Sequence, residues 1–197
     1  MKIFIRENFK EGRIGAGRNN KSFKGWCIRL LGSWSNHNMM SAIDKEGRFG
    51  FNEQEPPFSQ HTTLDEYERL MNEEGYEVRI YELVEANDDE MKAMAHWYTL
   101  NYLGERYPKT ANMILLGSKL VNYFADRFDI VPNMRLTWCT QRVIDSVFAI
   151  KHDILWGEGR QFRKILWTPK TIEKRVKQGL LREVTNQWIK EVDDATV

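Results

Sequence analysis

Read for spacing alone, the 197-residue chain moves between two periods. Val143, Ile144, Val147 and Phe148 recur at the one-, four- and five-residue spacings of a helical face, with Thr137 as the N-cap. Met91, Met94, Ala95, Tyr98 and Tyr102 make a second such face in a helix over 89–103, capped by Asn87 or Asp88 and ended by Gly104. Further helices are expected over 64–72 behind the cap Thr63, and over 111–128, where Ile114, Leu115, Val121 and Phe124 are apolar. The same spacing predicts one over 22–31, with Phe23, Trp26, Cys27, Leu30 and Leu31 on one face, and a basic amphipathic one over 171–190. Period two marks the strands. Residues 38–44 and 48–53 flank the charged turn Asp44-Lys45-Glu46-Gly47-Arg48 as a β-hairpin, 76–83 alternates polar and apolar, and 2–7 is a short strand. Between these, 11–20 reads as a mobile, glycine-rich basic loop. Pro56 and Pro57 mark 54–63 as irregular, because proline blocks both a helix and a ladder. Period-two segments separated by long helical ones predict an α+β domain, with helices packed against an antiparallel sheet.

Candidate chemistry sits at two of these element ends. Cys139 falls in the first turn of its helix, where unpaired N–H groups and the positive end of the macrodipole favour the thiolate that attacks acyl carbon. The plain alternative is a buried core thiol, since cysteine is among the most often buried residue types. A histidine in a suitable setting shifts that balance. His37 heads the first hairpin strand and Glu53 ends the second, and adjacent antiparallel strands bring such ends within side-chain reach. Glu53 is thus the candidate to orient the imidazole. Glu55, two residues along on the same face, is its rival, and Gln54 faces the other way. His61 precedes a capped helix start and is expected on the surface. His96 lies off the apolar face of its helix, and His152 follows the far end of the Cys139 helix, on the order of 18 Å from the cysteine.

The order of these pieces resembles the circularly permuted papain-like cysteine hydrolases, relatives of the NlpC-type amidases. Trp34-Ser35-Asn36-His37 is similar to that family's Ser-x-His entry, and Phe51-Asn52-Glu53-Gln54 to its strand ending in Glu-Ala. Leu103-Gly104-Glu105-Arg106-Tyr107 is similar to its Gly-x-x-Tyr, Trp138-Cys139-Thr140-Gln141-Arg142-Val143 to its Cys-Ser-Glu-Leu-Val, and Trp167-Thr168-Pro169 to its closing Thr-Pro. The resemblance covers about residues 25 to 185. It implies a papain-like domain over 25–190, preceded by a strand and glycine-rich loop over 1–24 and followed by an acidic tail over 191–197. It implies a triad of Cys139, His37 and Glu53, with Tyr107, Gln54, Glu55 and Trp138 lining the site. The activity implied is hydrolysis of a peptide, amide or related acyl bond, with acyl transfer and thioester cleavage as variants. Neither cofactor nor metal is expected. The chain departs from the family at Thr140-Gln141-Arg142 and lacks its opening Gly-Asp-Ile strand. Those departures favour a second class, a non-catalytic binding or structural module on the same fold.

Composition narrows the partners. With 42% hydrophobic and 12% aromatic residues the chain can bury a substantial core as one domain. A net charge of +1 gives no global attraction to nucleic acid or membrane. The charge is uneven: residues 1–30 carry eight basic and two acidic side chains, 151–190 carry ten and four, and 41–92 carry five and fifteen. Basic ends beside Trp167 and Trp188 hold the ingredients of a nucleic-acid or assembly face, though such segments are more often solvated helices. Two cysteines are too few for a disulfide framework, and no run of eighteen apolar residues or secretory leader is seen. The expectation is a soluble, cytoplasmic protein with no membrane span. The oligomeric state is not legible.

Overall fold

The computed structural model describes residues 1–19, 34–35, 37–55, 58–105, 139–151 and 169–193. In chain order the strands are β1 (Lys2–Phe4), β2 (Ile14–Arg18), β3 (His37–Ile43), β4 (Phe49–Glu55), β5 (Phe58–Thr63), β6 (Glu77–Leu83), β7 (Leu181–Glu183) and β8 (Ile189–Glu191). The helices are α1 (Leu64–Glu73), α2 (Asp88–Tyr102), α3 (Cys139–Ile150), α4 (Pro169–Lys177) and the single turn α5 (Thr185–Trp188). Six strands form an antiparallel sheet in the order β5-β4-β3-β2-β6-β7, and β1 pairs with β8 in a separate two-stranded ribbon.

Local chemistry explains the element ends. Asp44 closes the β3–β4 hairpin by accepting the N–H groups of Glu46 and Arg48, each at 2.9 Å, and the Arg48 Nε at 2.7 Å. Slight burial pushes the Asp44 carboxyl up, but these hydrogen bonds outweigh it and bring it down to about 2. The Thr63 hydroxyl accepts from the Glu66 N–H at the start of α1. Asn87 and Glu90 form a reciprocal capping box at the start of α2.

Because side chains alternate along a strand, the sheet has two apolar faces and buries both. On one, Ile14, Ala16, Met40, Ala42, Tyr81 and Leu83 meet Met91, Met94, Ala95 and Tyr98 of α2, Val143, Ile144, Val147 and Phe148 of α3, and Ile172 of α4. On the other, Met39, Phe51, Val78 and Ile80 meet Leu64, Tyr67 and Met71 of α1, with Phe4, Val184 and Trp188. Each large apolar side chain so buried stabilises the fold by about 2 kcal/mol. α3 is thereby held flat against the sheet, which fixes where its first residue falls.

Several expectations are corrected. The glycine-rich stretch is no loop: Ile14–Arg18 is the strand between β3 and β6. Its glycines answer to packing, since a Cβ on Gly15 would lie 2.6 Å from Met39 Cγ and one on Gly17 would lie 2.0 Å from Tyr76 Oη. The described part of 54–63 is not irregular, because β4 runs on to Glu55 and β5 covers Phe58–Thr63. His61 is accordingly half-buried within β5, not a surface residue. The helix expected over 171–190 ends at Lys177. Gly179, at φ +74°, turns the chain into β7, and Trp188 ends up in the core. The first strand is shorter than 2–7, giving way to a 3-10 turn at Arg6–Asn8. Glu191, at the head of the expected tail, pairs with Lys2. The helices expected over 22–31 and 111–128 lie outside the described residues. Among the described residues no helix is long and apolar enough to cross a membrane.

One glycine tests this packing. Gly12 sits at φ +79° with the Met91 carbonyl oxygen 1.8 Å from where a Cβ would stand, while Gly47, at φ +78°, has nothing within 4 Å. Gly12→Ala should destabilise the protein by roughly 2–4 kcal/mol through strain and displacement of α2, and Gly47→Ala by only about 1–2 kcal/mol. Urea denaturation of the two variants checks the difference; equal losses would contradict the close approach of residue 12 to α2.

Candidate active site

The β3–β4 ladder runs from Ile43↔Phe49 to Met39↔Glu53 and stops there. Beyond it, Gln54 and Glu55 of β4 pair with Ser59 and Phe58 of β5. On its other side β3 stays bonded to β2, with the Ser41 N–H donating to the Arg13 carbonyl at 2.9 Å. Backbone groups alternate in direction along a strand, so the Asn38 N–H points away from β2, toward the ground β4 has left. α3 begins at this gap, with Cys139 as its first residue.

His37 and Glu53 lie on one face of the sheet as diagonal cross-strand neighbours. His37 Nε2 is 2.8 Å from Glu53 Oε2. The same oxygen accepts the Tyr67 hydroxyl at 2.6 Å, and Glu53 Oε1 accepts from the Thr62 hydroxyl. Tyr67 reaches in from α1 and Thr62 from β5, so the carboxylate is held by three elements. It is only 4% exposed. Burial pushes its carboxyl up, but the hydrogen bond and charge of His37, with Thr62 and Tyr67, hold it below the usual range.

The other side of the ring meets the thiol. Burial pushes the Cys139 thiol up, but the charge and hydrogen bond of His37 and the Asn38 backbone N–H together bring it below the ordinary cysteine value. Burial likewise pushes the His37 imidazole down, and the charge and hydrogen bond of Cys139, then those of Glu53, raise it well above its ordinary value. Thiol down and imidazole up are the shifts that favour a thiolate–imidazolium pair. The sulfur also lies at a helix N-terminus, whose dipole favours negative charge.

Of the residues singled out from the sequence, Cys139, His37 and Glu53 meet. His61 does not join them, its Nδ1 lying 2.9 Å from Asn52 Oδ1, and His96 is exposed. Glu53 carries a contact to His37, and the side chains of Gln54 and Glu55 lie outside those described. Tyr107, Trp138 and His152 lie outside the described residues. Four neighbours escaped the sequence reading: Asn38, Thr62, Tyr67 and Thr140. Only Tyr67 had a signal, falling three residues after Leu64 on the inward face of α1. Arg142, one turn along from Cys139, fixes the axial position of α3. It is 2% exposed, pairs with Glu105 at 3.0 Å and stands 4.6 Å from the ring centroid of Tyr102 on α2.

Among the described residues no group of three or more His, Cys, Asp or Glu side chains is arranged to hold a metal ion. His37 Nε2 is engaged by Glu53. A cavity of about 520 Å³ bounded by Trp34, Tyr76, Val78, Arg79 and Thr185 touches none of the three residues.

No family model matches the chain, and no curated protein matches it. Among solved structures it is similar in fold to one described as "Crystal structure of metalloprotein yiiX from Escherichia coli O157:H7, DUF1105". The TM-score is 0.56 at 14% identity, over 89% of this chain and 96% of that one. The resemblance to the circularly permuted papain-like hydrolases is overturned by these findings: no family model carries it, and identity this low transfers the fold alone. Short motifs of common residue types in the right order were too weak to establish kinship. Four of the five pieces include residues outside those described.

The electrostatics has a direct test in the pH dependence of Cys139 alkylation by iodoacetamide, followed on the Cys139 peptide by mass spectrometry. Since the imidazolium brings its pKa below the ordinary value, the thiolate should persist, and react, at a pH below the range of a free thiol. In His37→Ala the opposing charge is gone and burial is met only by the Asn38 N–H, so the thiol should titrate higher than in the wild type and reactivity at that pH should fall about tenfold or more. An identical profile in the variant would show that no ion pair exists.

Proposed function

We propose that this protein is a cysteine-dependent hydrolase that cleaves an amide, peptide or related acyl bond, with Cys139 as nucleophile, His37 as general acid and base, and Glu53 orienting the imidazole. The single observation behind this reading is the row Glu53–His37–Cys139, its carboxylate and thiol buried and its imidazole half-buried, ending at the first residue of a helix. Each member has one job. The Cys139 thiolate attacks the carbonyl carbon, and the negative charge that develops on oxygen is met by the Cys139 N–H at the positive end of α3. The His37 imidazolium gives its proton to the leaving nitrogen as the carbon–nitrogen bond breaks, leaving an acyl thioester and a neutral ring. The ring then takes a proton from water, whose oxygen attacks the thioester, and the thiolate departs with the imidazolium restored.

Glu53 stays ionised throughout. Its hydrogen bond to Nε2 fixes which nitrogen faces the sulfur and stabilises the cation whenever it forms. A nucleophile of this type works only as a free thiol, so we assign the activity to a reducing compartment such as the cytoplasm.

A panel of fluorogenic aminoacyl and acyl amides and p-nitrophenyl esters tests the proposal. Cys139→Ala should abolish turnover, and Glu53→Gln should lower kcat roughly 100-fold with KM little changed. Glu53→Gln at wild-type rate would remove Glu53 from the mechanism. A wild-type protein that turns over nothing, and whose thiol titrates like a free cysteine, would leave a binding module and refute the hydrolase.

A further inference from the structure

Asn38 is the residue of β3 next to His37, and it is tied to the nucleophile's own turn of helix by more than one bond. Alternation turns its side chain to the face opposite His37, the one on which α3 packs. There its Oδ1 accepts the Thr140 hydroxyl at 2.8 Å, while its Nδ2 faces the Gly15 carbonyl of β2 at 3.4 Å. Both residues are fully buried. The Gly15 carbonyl can only accept, so it fixes which way the Asn38 amide is turned; the amide oxygen must then face Thr140, which must donate. The Asn38 backbone N–H meanwhile faces the gap beyond the β3–β4 ladder, where the Cys139 sulfur lies, and the Thr140 Oγ1 stands 4.0 Å from that sulfur.

Nothing in the chemistry of bond cleavage uses these groups. A buried asparagine and threonine with no further role would be replaceable by apolar side chains of similar shape, at little cost to the fold. Their placement says more: β2, β3 and the first turn of α3 are locked together within one residue of His37 on the strand and one residue of Cys139 on the helix. The sulfur has to sit between a side-chain nitrogen and a backbone N–H of consecutive residues, and a slip of the helix start by a fraction of an ångström would lose both. The α2–α3 contacts of Arg142 fix the helix one turn further along, and they leave its first residues free to fray.

We propose that Asn38 and Thr140 are positioning residues for the Cys139 nucleophile, clamping the start of α3 to the end of β3 so that the sulfur stays between His37 and the Asn38 N–H. This rests on the thiolate–imidazolium reading above. Neither residue touches substrate; both act through the cysteine.

The test is the pH profile of Cys139 alkylation by iodoacetamide, read on the Cys139 peptide by mass spectrometry, alongside the midpoint of thermal unfolding. Thr140→Val removes the clamp's hydroxyl at nearly constant volume. It should move the reactive limb up by about one pH unit, a roughly tenfold loss of reactivity on the acid side. Thr140→Ser should restore the profile. If Thr140→Val does not fold, the double variant Asn38→Leu/Thr140→Val removes donor and acceptor together, leaves no unpaired atom between them, and should show the same shift. A wild-type limb at low pH that neither variant moves overturns the clamp and leaves the ion pair standing. Unfolding at a lower temperature with the profile unchanged assigns the pair a structural role only, and also overturns it. A wild-type limb at the pH of an ordinary thiol refutes the ion pair and the clamp together.

Discussion

A carboxylate that is 4% exposed cannot remain charged without compensation, and the structure around Glu53 is arranged to provide it. Its two oxygens take hydrogen bonds from His37 of β3, Tyr67 of α1 and Thr62 of β5. None of these comes from β4 itself. The charge thus pulls a strand, an edge strand and a helix onto one point, and it also sets the protonation of the ring beyond it. With Glu53 ionised, an imidazolium at His37 is favoured, and with an imidazolium present, the thiolate at Cys139 is favoured in turn. Charges that alternate in sign along such a row each stabilise the next, which is why the three shifts run in the directions they do.

The two faces of the sheet divide the work. The face covered by α1 and α5 supplies the support of Glu53, through Tyr67 and the aromatic packing of Phe51 against it, ring centroids 5.2 Å apart. The opposite face carries α3 and so delivers the sulfur. His37 joins the two because it is the first residue of β3, where the strand is bonded to β2 alone. A sheet fully laddered to its end would have no opening through which a helix start on one face could reach a histidine on the other. The departure of β4 toward β5 therefore matters as much as any side chain.

Fold similarity at 14% identity says how such a chain can be arranged in space, and leaves chemistry to be argued from side chains. That chemistry is local, resting on three hydrogen bonds to the Glu53 carboxylate and on the helix start beside His37.

What the sequence determined by itself is what nearest neighbours along the chain decide. The hairpin at 37–55, the Thr63 cap, the capping box at Asn87 and the inward faces of α2 and α3 follow from period, turn chemistry and capping, all of which act within a few residues. The pairing of His37 with Glu53 was legible for the same reason, because a hairpin's register follows from its turn. The tertiary structure alone decided the rest. Ile14–Arg18 looks like a loop until Met39 and Tyr76 are seen to occupy the space that side chains on Gly15 and Gly17 would need. The prolines at 56 and 57 look like the end of order until a strand resumes at Phe58. Asn38, Thr62, Tyr67 and Thr140 are ordinary polar and aromatic residues in the sequence. They become parts of a site only because the chain folds a buried charge among them, and the energy of that placement depends on contacts between segments up to a hundred residues apart.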